Sequence, residues 1–141
     1  MKDITIRITG KQCFDGKEED HMEFVTDGKL YERNGYTYVS YDESEVSGLE
    51  GCKTTLRLKG ETVRMKRTGD DGYGTELYFE PGKRFSSTYE TPFGVMGLEV
   101  LTKSVTNNLD SELVKGQIDI EYDVSLGGIA EGKNKLTIDF M

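Results

Sequence analysis

The residues best placed to do chemistry in this 141-residue chain are polar groups that fall on apolar phases of extended segments. Arg67 is the clearest of them. In Val63-Arg64-Met65-Lys66-Arg67 it repeats the phase of Val63 and Met65, while Arg64 and Lys66 take the other side. A strand sends alternate side chains to opposite faces, so Arg67 is expected to face the interior. An inward guanidinium is costly unless a carboxylate or several hydrogen bonds meet it. Glu43, in phase with Val39 and Tyr41, is the preferred partner, although Tyr36, Tyr38 and Ser40 make a rival apolar face. Tyr41, Tyr89 and Tyr122 are candidate supporting hydroxyls. Tyr122 shares a phase with Ile118, Ile120 and Val124, and Tyr89 shares one with Phe85. An arginine with tyrosine hydroxyls around it can fix an anionic or polar group of a small ligand. The competing reading is structural: Arg67 fills one end of a barrel, stacked on a tyrosine or satisfied by carbonyls, because small barrels need their interiors filled.

Other constellations fail on chemical grounds. His21 is the single histidine, which removes most histidine-dependent catalysis. A Cys13–His21 pair lacks a third, orienting group. Gly51-Cys52-Lys53-Thr54 has the tail of a phosphate loop, but cysteine stands before the lysine and no helical pattern follows to hold the anion. Acidic clusters at Glu18-Glu19-Asp20, at Asp42-Glu43 with Glu45, and at Asp70-Asp71 lack the spacing of a calcium loop. No catalytic residue, metal ligand or cofactor is assigned, and an enzyme is the least supported class.

The elements that must position Arg67 are strands. Ala130 is the only alanine, and Thr, Val, Ile, Tyr and Phe are plentiful, as pleated sheets prefer. Ile4, Ile6 and Ile8 alternate with polar residues. A run from Asp20 to Arg33 follows a turn at Asp15-Gly16, with Gly28 expected to mark a bulge or sharp bend. Asn34-Gly35 is the strongest hairpin signal. Thr54, Leu56 and Leu58 share a phase, and Gly60-Glu61 turns into the Arg67 strand. Asp70-Asp71-Gly72, Pro81-Gly82, Pro92-Phe93-Gly94, Asn107-Asn108 and Gly127-Gly128 punctuate the rest. Between them lie Leu77 and Phe79, Phe85 to Thr91, Met96 to Thr102, Ile118 to Leu126, and finally Leu136, Ile138 and Phe140. Short strands joined by short turns pair antiparallel. Roughly eight to ten of them tend to close and so remove their edges. One all-β domain over residues 1–141 is expected, an antiparallel barrel, with a two-sheet sandwich as the alternative.

Charge and cysteines narrow the partners. With 18 basic and 26 acidic residues the net charge is -8. Phosphate binding draws its affinity from Lys and Arg, so nucleic acid is not expected unless one face is strongly basic. No apolar run approaches the roughly 20 residues that span a bilayer, and the N-terminus lacks the apolar segment of a secretion signal. Cys13 and Cys52 form neither a disulfide framework nor a metal pattern. A cytoplasmic protein with no membrane partner, monomeric or homodimeric, is expected.

Several short motifs recur in order along the chain: Thr26-Asp27-Gly28, Tyr41-Asp42-Glu43, Thr54-Thr55-Leu56, Arg67-Thr68-Gly69, Thr91-Pro92-Phe93-Gly94 and the late strand around Tyr122. Their order and spacing resemble the YwiB-like family, small uncharacterised proteins of Gram-positive bacteria. The resemblance implies a calycin-like barrel, related in shape to lipocalins and fatty-acid-binding proteins, and it implies no activity. Two functional readings follow. One is a non-enzymatic binding module holding a small apolar, amphipathic or anionic ligand in the barrel or at its mouth. The other is an interaction or self-association module with a filled barrel. A cavity of a few hundred Å³ beside Arg67 favours the first; a filled lumen with a large apolar outer patch favours the second.

Overall fold

The alternating segments become ten strands: β1 (Lys2–Phe14), β2 (Asp20–Arg33), β3 (Tyr36–Asp42), β4 (Cys52–Lys59), β5 (Thr62–Gly69), β6 (Gly74–Phe79), β7 (Arg84–Thr91), β8 (Gly94–Asn107), β9 (Gly116–Leu126) and β10 (Ala130–Phe140). The structure is a computed structural model that describes residues 1–14, 19–43, 51–69, 74–91, 94–127 and 130–141. The expected turns at Asp15-Gly16, Asp70-Asp71-Gly72 and Pro92-Phe93, together with Glu18, Glu45 and Gly128, lie outside the described residues. For Phe14, Tyr89, Glu90, Thr91 and Ala130 the structure describes the backbone alone. Among the described residues there is no helix, and hence none long and apolar enough to cross a membrane.

Each strand pairs antiparallel with its neighbours in the chain, and β10 returns to β1 from Ile6↔Phe140 to Phe14↔Gly132, closing a barrel. The architecture is therefore a closed up-and-down barrel and not a sandwich. The thinnest seam lies between β6 and β7, whose register among the described residues is the single pair Thr75↔Tyr89. The turn that follows β6 docks instead on β8, where Gly82 N donates to Thr102 O at 2.9 Å and Thr102 N donates to Lys83 O at 3.2 Å.

Local chemistry explains the turns. Asn34 and Gly35 take φ values of 53° and 82°, the two positive angles that a tight hairpin turn requires. Gly28 behaves differently from the expected bulge or bend. The β1–β2 register runs through it unbroken, from Thr5↔Asp27 through Ile4↔Gly28 to Asp3↔Lys29. It marks a close approach instead, since a Cβ there would sit 2.5 Å from the Ser40 carbonyl oxygen. The irregularity falls in β8, where the register against β9 shifts between Thr102 and Ser104. That extra residue moves the inward phase from Leu98, Val100 and Thr102 to Val105, so the strand continues to Asn107.

The inward phases build one apolar core. Val39, Leu56, Val63, Phe79, Ile118 and Ile120 are 0% exposed, which leaves no water-sized space against them. That stretch of the lumen is filled by side chains.

Candidate functional site

Two polar rows interrupt the apolar lining. Cross-strand register aligns Tyr41, Thr54, Arg67, Thr75 and Tyr89 over β3 to β7. It aligns Thr102, Tyr122 and Asn134 over β8 to β10. Each row is a consequence of strand period plus register, with one residue per strand brought into line across the sheet.

Glu43, one residue past β3, anchors the first row. Its amide donates to Cys52 O at 2.9 Å, which keeps it in phase with Val39 and Tyr41. Its side chain is buried. Thr54 Oγ1 donates to Glu43 Oε1 at 2.6 Å, and Arg67 Nε lies 3.5 Å from the same oxygen. The carboxylate sits in the barrel wall between a hydroxyl and a guanidinium, which is how a buried charge is tolerated. The arrangement is incomplete, however. Arg67 Nε is buried and completes no hydrogen bond, and the same holds for the Tyr41 hydroxyl and Thr102 Oγ1. The Tyr41 hydroxyl lies near Thr54 and Glu43 without reaching bonding geometry. Native interiors rarely leave such groups unpartnered.

The electrostatics follow from this enclosure. Burial raises the Tyr41 phenol pKa well above the ordinary tyrosine value, the Glu43 charge raises it further, and Arg67 partly opposes both. Burial also raises that of Tyr122, again opposed by Arg67. Both phenols stay neutral donors at physiological pH. The Tyr122 ring rests on Phe79, with centroids 4.7 Å apart.

Arg67 and Tyr122 open onto a cavity of about 290 Å³ that is also lined by Gly10, Met22, Asn134 and Leu136. β5 and β10 stand opposite each other in the ten-strand ring, so Arg67 and Asn134 reach this space from opposite walls. Lys11, His21 and Lys135 stand at its edge, with Asp20 as the acidic residue among the lining groups. A larger depression of about 620 Å³ lies along Asp3, Asp27, Lys29, Asp42 and Lys53. It is more open and its charges are mixed in sign, with Lys29 already bonded to Asp3, so it is the weaker candidate.

Of the residues expected at the site, the structure brings together Arg67, Glu43 and Tyr41, and places Tyr122 with Arg67 at the cavity. Tyr89 falls in the first row by register, and its side chain lies outside the description. Three members were not singled out from the sequence. Thr54 and Thr102 sit in apolar phases that were visible there. Asn134, 8% exposed, repeats the phase of Leu136 and Ile138 and was legible by extending it two residues. Among the described residues no group of three or more His, Cys, Asp or Glu side chains could hold a metal.

Comparison with known proteins agrees with this architecture. A curated relative, the "Uncharacterized beta-barrel protein YwiB" of Bacillus subtilis (strain 168), is 31% identical over 137 residues, covering 97% of this chain and 92% of its own. The crystal structure of the ywiB protein from Bacillus subtilis superposes with a TM-score of 0.80 at 28% identity, covering 97% of this chain and 90% of that one. A family model described as a domain of unknown function, DUF1934, matches residues 6–138, and with nearly the whole barrel inside that match, the chain belongs to the DUF1934 family and is YwiB-like.

Proposed function

We propose that this protein is a cytoplasmic, calycin-like binding module that takes a small anionic molecule at the Arg67 end of the barrel. The observation that carries the reading is the state of Arg67. Its side chain is 24% exposed, it lines the cavity of about 290 Å³, and its Nε has no hydrogen-bond partner. Nε itself is enclosed beside the Glu43 carboxylate, so a ligand carboxylate or phosphate would accept from the exposed part of the guanidinium. The Tyr122 hydroxyl and the Asn134 amide, on the facing wall, would hold the polar body of the same ligand. Lys11 and Lys135 favour negative charge at the entrance.

The packing narrows the ligand class. A long apolar chain has no room beyond the mouth, because the core residues below are packed against one another. The cavity is at the small end of the usual range for ligand sites, roughly 300 to 1,000 Å³, and suits a compact polar molecule. The interaction-module reading finds little support in exposed apolar surface: among the described residues Val25, Val95 and Leu113 are the large exposed hydrophobics away from the chain ends, and they stand apart on β2, on β8 and between β8 and β9.

Thermal unfolding against a panel of small carboxylates and phosphates tests the proposal. A specific ligand at one hundred times its Kd would stabilise the fold by about 2.7 kcal/mol. Arg67→Met should abolish that response, and Lys66→Met should leave it. A panel that shifts neither protein, or shifts both equally, removes the site.

A further inference from the structure

The outward positions of β4 and β5 carry only lysine, arginine and threonine. Lys53, Arg57, Lys59, Arg64 and Lys66 supply the charge, and threonines 55, 62 and 68 fill the remaining places. On β9, directly across the ring, the outward residues include Asp119, Glu121 and Asp123. Glu121 and Asp123 are paired with Lys135 and Lys103, so within a chain whose net charge is -8 the unmixed run of basic side chains is that of β4 and β5.

Tyrosines border the basic wall. Tyr31 and Tyr38 stack with centroids 4.9 Å apart and planes 5° from parallel. Tyr36 meets Tyr38 edge-on at 6.5 Å. The Arg57 guanidinium lies 4.5 Å above the Tyr36 ring, and the Lys59 ammonium 5.2 Å from it. Register aligns Tyr31, Tyr38, Arg57, Arg64 and Tyr78 as one row across five adjacent strands. At a strand spacing of about 4.8 Å that row is about 19 Å long. Arg57 stands directly opposite Arg64, a like-charge pairing that costs stability. Glu76 neutralises Arg64. Lys53, Lys59 and Lys66 have no ion-pair partner among the described residues.

We propose that this wall binds a single-stranded nucleic acid, with phosphates on the lysines and arginines of β4 and β5 and bases against the tyrosine rings of β2 and β3. A cationic surface interleaved with aromatic rings is the recurring solution for single strands, because every base offers a π-face. The net charge of the chain argues against nucleic acid, and the proposal departs from that expectation because the bases are concentrated on one face. Acidic protein surfaces meet the charge requirement but give the stacked tyrosines no specific role. A second copy would present its own acidic wall, on the far side of the barrel, and such head-to-tail contacts generate open chains rather than closed assemblies.

The test is fluorescence anisotropy of a short fluorescein-labelled oligothymidylate with the full chain, over a series of salt concentrations. Binding at low salt is expected, with a log–log salt slope of about -0.7 per phosphate contact. The double variant Lys59→Thr, Lys66→Thr should reduce the magnitude of that slope by about 1.4. Threonine already occupies this wall, so folding is not at issue. Tyr38→Ala should weaken binding about tenfold at fixed salt and leave the slope unchanged. Lys133→Thr, on β10, should change nothing. Three results would each overturn the proposal. One is no binding at low salt, and another is binding indifferent to the wall variants. The third is polyglutamate competing as well as the strand with Tyr38→Ala neutral, which would point to an acidic protein partner.

Discussion

Arg67 Nε and Thr54 Oγ1 converge on one oxygen, Oε1 of Glu43, at 3.5 Å and 2.6 Å. Two neighbouring strands thereby share a buried carboxylate that stands just past the end of a third. Thr54 is 0% exposed and its hydroxyl bond is short, whereas Arg67 is partly open and keeps its Nε unbonded. The hydroxyl holds the carboxylate in place, and the guanidinium balances its charge while remaining available.

Removing either partner should therefore be measurable in urea unfolding. Arg67→Ala leaves the Glu43 charge buried and is expected to cost about 3 kcal/mol, the low end of the usual range because Arg67 is partly solvated. Lys66→Ala, on the opposite face, should cost about 0.5 kcal/mol or less. The double change Arg67→Met, Glu43→Leu should recover most of the loss. Equal stabilities for Arg67→Ala and Lys66→Ala would place Arg67 outside the buried pair.

Thr54→Val keeps the shape and deletes the donor to Glu43 Oε1. A hydrogen bond to a buried charged group is worth about 1.5–3 kcal/mol, and chemical denaturation should show a loss of that size. A neutral result would mean that Glu43 is held by Arg67 alone.

Tyr41→Phe should be neutral or stabilising near pH 7, because the hydroxyl it removes is buried without a hydrogen bond. The difference should grow in alkali. The native phenol keeps its proton, since its pKa is raised, while in the unfolded chain it ionises at about pH 10. Above that pH the unfolded state binds fewer protons than the native state, so the stability of the parent protein falls as pH rises. Tyr122, raised by burial in the same direction, should add to the decline. Unfolding curves from neutral pH to beyond pH ~10 should be flatter for Tyr41→Phe than for the parent, and parallel curves would contradict the burial of the phenol.

Gly74→Ala should disturb the site without touching any of its side chains. A Cβ on Gly74 would lie 2.2 Å from the Arg67 carbonyl oxygen, so the backbone of β5 or β6 must shift. Overpacking of this kind costs about 1–3 kcal/mol, and the response to a small anionic ligand should weaken along with it. Retention of full stability would show that the β5–β6 pair yields freely.

The sequence alone was enough for the β-strands, the turns at Asn34-Gly35, Gly60-Glu61 and Pro81-Gly82, and the inward position of Arg67. These depend on local rules: side chains alternate with period two, Asn-Gly supplies positive φ, and Pro-Gly ends a strand. Glu43 could be matched to Arg67 because its phase put it inward and a buried guanidinium needs a carboxylate. Closure of the barrel required more. It depends on β10 pairing with β1, a contact between residues far apart in the chain that no local pattern specifies. The true role of Gly28 was hidden for the same reason, because the atom that excludes a side chain there is the Ser40 carbonyl on another strand. The β8 bulge was hidden because one extra residue reverses every later phase. The two polar rows and the basic wall are likewise products of register. Tyr38, Arg57 and Arg64 are ordinary surface residues when read one strand at a time, and only tertiary pairing aligns them. Side-chain phase is decided within a strand, but neighbours across strands are decided by register, and register is fixed by the packing of the whole barrel.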